Sequence, residues 1–195
     1  MAVTAGAGIL VAIARASDDA WRTGPISLLT RDPTGGLAFR VGIVSAGLVG
    51  LWTARSWAGL LAELHRAGLM TDRWRRAWAA GGYLAGLALI LAGAVPLGVS
   101  GWFEIVHGTG AYVVPIVLLA AMLTARLAVP AIGDGLGRLS LAILAAVLIS
   151  YLLAVAAVVQ YWVMEVFAFG VAGGWLYLLT GRLGTLPGVS GDVRP

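Results

Sequence analysis

The stretch AWAAGGYLAGLALILAGAVPLGVSGW at 77–102 carries no charged side chain. Its length exceeds the roughly 20 apolar residues that cross a bilayer as a helix. A second stretch, LSLAILAAVLISYLLAVAAVVQYWVM at 139–164, has the same property. Around them the 195-residue chain is 60% apolar or aromatic and 11% charged, with a mean hydropathy of +0.93. Soluble domains run near ~25% charged residues, and a core of this size does not hide such an apolar surplus from water. The sequence therefore predicts an all-α, polytopic membrane helix bundle forming a single domain. Six spans are expected, at about 1–14, 37–57, 77–102, 107–129, 139–164 and 165–180. The first is short and lacks the basic leader of a cleavable signal peptide.

The formal charge of +4 comes from 13 arginines and no lysine. These fall in the gaps between apolar runs, which is membrane topology and not a nucleic-acid face. Nine lie in alternate gaps: Arg55, Arg66, Arg73, Arg75, Arg76, Arg126, Arg138, Arg182 and Arg194. Four lie on the other side: Arg15, Arg22, Arg31 and the snorkelling candidate Arg40. The bias places both termini in the cytoplasm of a prokaryotic plasma membrane. Trp52, Trp57, Trp74, Trp78 and Trp175 are expected near the inner ends, and Trp21, Trp102 and Trp162 near the outer ends.

Gly82, Gly86 and Gly93 in span 3, and Gly170 and Gly174 in span 6, have the spacing of close helix contacts. They predict packing within the chain, with a homo-oligomer through Gly82, Gly86, Gly170 and Gly174 as the alternative. Pro96 and Pro115 are expected to kink spans 3 and 4.

Two regions invite a functional reading. The inner gap at 55–76 reads as an amphipathic helix in the headgroup layer, with Trp57, Leu60, Leu61 and Leu64 on one face. It ends in Asp72-Arg73-Trp74-Arg75-Arg76, and Arg66, Arg73, Trp74, Arg75 and Arg76 are the candidate contacts to anionic lipid. On the outer side a turn-rich loop holds Gly24-Pro25-Ile26-Ser27 and Asp32-Pro33-Thr34-Gly35-Gly36. Beside it Glu104, His107, Glu165, Asp18 and Ser27 form the candidate polar cluster or ligand site, because acids near a membrane are functional candidates.

Other chemistries lack their residues. With no cysteine there is no thiol nucleophile or conventional zinc set. His65 and His107 fall at opposite faces, about 30 Å apart, so they do not ligate one haem iron. No metal or other cofactor is expected. The run Gly133-Asp134-Gly135-Leu136-Gly137 is expected to be a turn between spans 4 and 5 and not a phosphate loop.

The outer landmarks also resemble the superfamily of six-span membrane proteins that includes the DRAM, Frag and Sfk proteins and a bacterial and archaeal branch. The likeness rests on Pro25-Ile26-Ser27, the turn from Pro33 to Gly36, Phe39, His107-Gly108-Thr109-Gly110-Ala111 and Trp162-Val163-Met164-Glu165. The chain departs from DRAM-type relatives at Leu28, where they often carry an acid, and at Leu37-Ala38, where they often carry a glutamate before the aromatic. The resemblance implies six helices, cytoplasmic termini and a link to membrane lipid organisation. The reading is a non-enzymatic membrane protein that binds or organises lipid, or partners another membrane protein. Two alternatives stay open. A small transporter or channel predicts a polar cavity reaching the midplane, and a lipid-modifying enzyme predicts His107 and Glu165 within about 3 Å or bridged by one water.

Overall fold

The computed structural model describes residues 2–17, 19–22, 24–95, 101–156 and 159–189. Asp18, Pro96 and the terminal Arg194 lie outside the described residues. The architecture is an all-α bundle of α1 (Ala2–Arg15), α2 (Gly36–Arg66), α3 (Asp72–Ala94), α4 (Trp102–Ala128), α5 (Gly133–Val155) and α6 (Tyr161–Gly184). Short 3-10 turns at Ala20–Arg22 and Ile26–Arg31 shape the α1–α2 connection, and a third at Pro130–Ile132 leads into α5. Among the described residues five helices, α2 to α6, are long and apolar enough to cross a membrane, so the protein is an integral, multi-spanning membrane protein. At 14 residues, α1 measures about 21 Å.

The bundle has two chemically different ends. One, the loop end, gathers the α1–α2 connection, the start of α4 and the start of α6. The other, the arginine end, gathers the α2–α3 and α4–α5 connections and the end of α6.

Packing begins with backbone contact between α2 and α3. A Cβ built on Gly47 would sit 2.8 Å from the Gly86 carbonyl oxygen and from the Ile90 nitrogen. One built on Gly86 would meet Leu51 at 2.8 Å, and one on Gly93 would meet the Val44 nitrogen at 2.8 Å. In lipid the hydrophobic effect does not drive helices together, and the dispersion gained when backbones touch does so instead. The same device sets α1 on α2, where a Cβ on Gly8 would be 2.5 Å from Gly42 Cα, and α4 on α3, where one on Gly110 would be 2.7 Å from the Ala88 carbonyl. By contrast, Cβ atoms on Gly170 and Gly174 of α6 would meet nothing. Gly82 has ordinary contact distance to Ala54, at 3.4 Å.

Several boundaries differ from the sequence reading. α2 runs on to Arg66, and Leu60, Leu61 and Leu64 are buried at 2%, 0% and 0% exposure against Met122, Val129, Trp175, Leu179 and Leu183. The expected headgroup-layer helix is thus the end of a span, and its apolar face packs on protein rather than lipid. The Gly133 run is the first turn of α5, not a loop, with Asp134 paired to Arg126 at 2.6 Å. α5 ends at Val155 and α6 starts at Tyr161, several residues earlier than hydropathy suggests, because both sides of the break are apolar. Gln160, in extended conformation, sets the start of α6 and accepts the Trp162 indole N–H at 2.6 Å. Pro115 lies inside an uninterrupted α4. Trp78 and Trp175 are buried, whereas Trp52 and Trp102 are exposed as interfacial residues are.

Leucine at Gly86 forces the α2 and α3 backbones apart and is expected to destabilise the protein by about 1–3 kcal/mol or more. Leucine at Gly170 meets open space and is expected to change stability by less than about 0.5 kcal/mol. Thermal unfolding of the two variants in one detergent, followed by tryptophan fluorescence, checks the difference.

Candidate functional site

At the loop end one carboxylate organises the backbone between α1 and α2. Asp32 Oδ2 accepts the Ser17 amide at 2.6 Å and the Ser17 hydroxyl at 2.9 Å. Its Oδ1 accepts the amides of Thr34 at 2.9 Å and Gly35 at 2.7 Å. The Thr34 hydroxyl lies between this carboxylate and the Arg15 carbonyl. The Asp-Pro-Thr-Gly-Gly turn signal is visible in the sequence, but the reach back to Ser17, which ties the end of α1 to the start of α2, is not. Burial by itself would raise the Asp32 carboxyl. The Gly35 amide, the Thr34 hydroxyl and the amides of Ser17 and Thr34 outweigh it and hold the group well below the usual carboxylate range.

The sequence candidates at this end sit on separate structural tasks. Glu165 Oε2 accepts the Ile26 amide at 2.6 Å, so a carboxylate on α6 caps the 3-10 turn of the loop. Glu104 pairs with Arg31 at 3.3 Å on the exposed rim. Half-buried Ser27 presents its carbonyl to the Thr30 hydroxyl at 2.8 Å. His107 is buried at 3% exposure and its Nδ1 contacts the Val95 carbonyl at 2.7 Å. That oxygen only accepts, so Nδ1 carries the proton. Nε2 is buried and has no hydrogen-bond partner among the described residues. His107 and Glu165 share no hydrogen bond. Arg40, which hydropathy marks as a snorkelling residue, instead reaches across to the end of α3, donating to the Gly93 and Ala94 carbonyls at 3.2 and 2.8 Å. A cation on the last carbonyls of a helix satisfies acceptors that have no partner within it. Trp21 meets Trp162 edge to face at 5.8 Å and packs with Ile26, Leu29 and Phe39, closing the loop over the helix ends.

The arginine end is different in kind. Arg55, Arg66, Arg73, Arg75, Arg76, Arg126, Arg138 and Arg182 lie there against three described acids, Glu63, Asp72 and Asp134. Eight minus three leaves an excess of five positive charges. At the loop end Arg15, Arg22, Arg31 and Arg40 face four described acids, Asp19, Asp32, Glu104 and Glu165. Asp72 binds Arg75 at 2.6 Å and Arg76 at 3.1 Å. Arg55, Arg66, Arg73 and Arg182 are exposed and make no ion pair among the described residues. Trp74 is half-buried against the core.

Between α2, α3, α4 and α6, in the half nearer the arginines, lies a groove of about 410 Å³. Trp57 stacks on Trp78 within its wall, ring centres 6.1 Å apart. Glycines and alanines such as Gly50, Gly81, Ala85 and Ala121 make the space, with Leu60, Leu89, Val117 and Leu179 around it. The transporter reading needs a polar passage, and this groove is apolar. Nothing in the sequence pointed to it, because its lining comes from four helices. Among the described residues no three His, Asp or Glu side chains gather to hold a metal ion.

No family model, no curated protein and no solved structure matches the chain.

Asp32 gives a pH prediction. A carboxyl whose folded pKa is depressed contributes stability above its unfolded pKa, near ~3.9, and loses it as pH falls through the folded value. Acidification below about pH 4 is therefore expected to lower the unfolding temperature of the native protein. D32N is expected to melt several degrees lower at neutral pH and to show a flatter acid limb, in the same tryptophan-detected melts run across pH.

Proposed function

We propose that this is a six-span protein of a prokaryotic plasma membrane, with both termini cytoplasmic, that binds and organises anionic lipid at its arginine end. The observation that carries the reading is the excess of five positive charges at one end of the bundle, against none among the described residues at the other. Anionic lipid of a cytoplasmic leaflet attracts juxtamembrane basic residues with roughly 1 kcal/mol each. In this reading α1 is the sixth crossing. Its short length is met by packing backbone to backbone on α2 and by Arg15 at its end reaching for the surface. The resemblance to the DRAM, Frag and Sfk proteins supports the same count and the same link to lipid.

Arg66 and Arg73, with Arg55, are the contacts expected to matter most, since they are exposed and have no acid partner. Arg75 and Arg76 share Asp72 and contribute less net charge. Replacing Arg55, Arg66 and Arg73 together by Gln is expected to lower the preference for anionic over zwitterionic lipid by about tenfold or more. Lipid enrichment around the protein, measured by native mass spectrometry after release from mixed nanodiscs, checks this. An unchanged enrichment contradicts the reading.

A further inference from the structure

We propose that the groove between α2, α3, α4 and α6 holds one hydrocarbon chain of an anionic lipid whose headgroup rests at the arginine end. This deepens the reading above and rests on it for the headgroup. The chain assignment comes from the groove itself.

Three of the four hydroxyls on the walls are already committed, and the fourth, on Ser56, is exposed at the rim. The hydroxyls of Thr53, Thr124 and Thr180 each donate to a carbonyl of their own helix at 2.7 Å, on Val49, Ala120 and Leu176. The Trp78 indole donates to Thr124 at 3.2 Å and the Trp175 indole to Ser140 at 2.7 Å. A polar solute entering here gives up its hydration for few free partners, and water needs two to four polar neighbours to stay. A hydrocarbon chain needs none. The volume of about 410 Å³ falls within the range of small-molecule sites. Thr53, Ala77 and Ala120 on the rim are exposed, so the groove opens sideways to the apolar medium in which lipid chains are the abundant solute.

Charge selects the headgroup. Trp74, at the mouth, is flanked in sequence by Arg73 and Arg75, and Arg182 follows Leu179 by one helical turn on α6. The nearest acid on α3, Asp72, is held by Arg75 and Arg76. A phosphate bearing a net negative charge is therefore matched where the chain emerges, and a zwitterionic headgroup is matched less well.

The test uses the full chain in nanodiscs doped with phosphatidylglycerol carrying a photoactivatable diazirine in one chain, or with phosphatidylcholine carrying the same chain. Adducts are mapped by mass spectrometry. With the anionic probe, labelling of groove residues such as Trp74 and Ala77 is expected to exceed that with the zwitterionic probe at least fivefold. A85F fills the groove and is expected to reduce this labelling severalfold, while adducts on the outward residues Leu141, Leu148 and Leu152 of α5 stay unchanged. A77F, at an exposed rim position, does the same without burdening the core and serves if A85F fails to fold. Groove labelling no stronger than that of α5, or unaffected by either phenylalanine, overturns the chain assignment and leaves the charge reading to the enrichment measurement. Strong groove labelling that is equal for both headgroups overturns the anionic assignment of the groove, and the enrichment measurement then decides the arginine end by itself.

Discussion

Backbone contact between α2 and α3 at Gly47 and Gly86 is the constraint on which the rest of the molecule depends. It holds two long apolar helices closer than side chains allow, in a lipid-facing bundle where no water-driven collapse is available. Everything else is placed relative to this pair. α1 lies along the first half of α2, α4 lies along α3, and α5 and α6 complete the bundle through the cluster around Leu60, Leu64, Trp175 and Leu179. The small residues that permit contact at one level leave the groove at another. Ala85 lines the groove one residue before Gly86 meets Leu51.

The two ends answer different physical demands. At the loop end, cations and acids are matched and most have specific structural work: Asp32 joins α1 to α2, Glu165 caps the loop, Arg31 meets Glu104, and Arg40 closes the end of α3. At the arginine end the cations outnumber their acids, and the surplus is exposed. A fold needs no such surplus for its own stability, since like charges repel. The proposed use is toward an external anion, the phosphate of lipid around that end.

Hydropathy and arginine placement made the helical membrane class legible, because both depend on one-dimensional runs that a bilayer reads directly. The close glycines of α3 were legible for the same reason, as a spacing along one helix. Partners were not. Leu60, Leu61 and Leu64 form an apolar face that is equally suited to a headgroup layer or to a neighbouring helix, and only the turn at 67–71 decides for the neighbour. Arg40 reads as a snorkelling residue until the end of α3 is seen beside it. Asp32 is hidden among turn residues, and its role appears only when Ser17 is brought within 2.6 Å. The groove draws its lining from four helices far apart in sequence, so no local pattern announces it.

Orientation carries the whole account, since the exposed arginines act on anionic cytoplasmic lipid only if that end faces the cytoplasm. The absence of native cysteine makes the most direct measurement simple. Single cysteines are placed by T71C at the arginine end and A156C at the loop end, both exposed, and intact cells are treated with a membrane-impermeant maleimide. With the arginine end cytoplasmic, A156C is labelled in intact cells and T71C only after the membrane is opened. Labelling of T71C from outside, with A156C protected, contradicts this orientation.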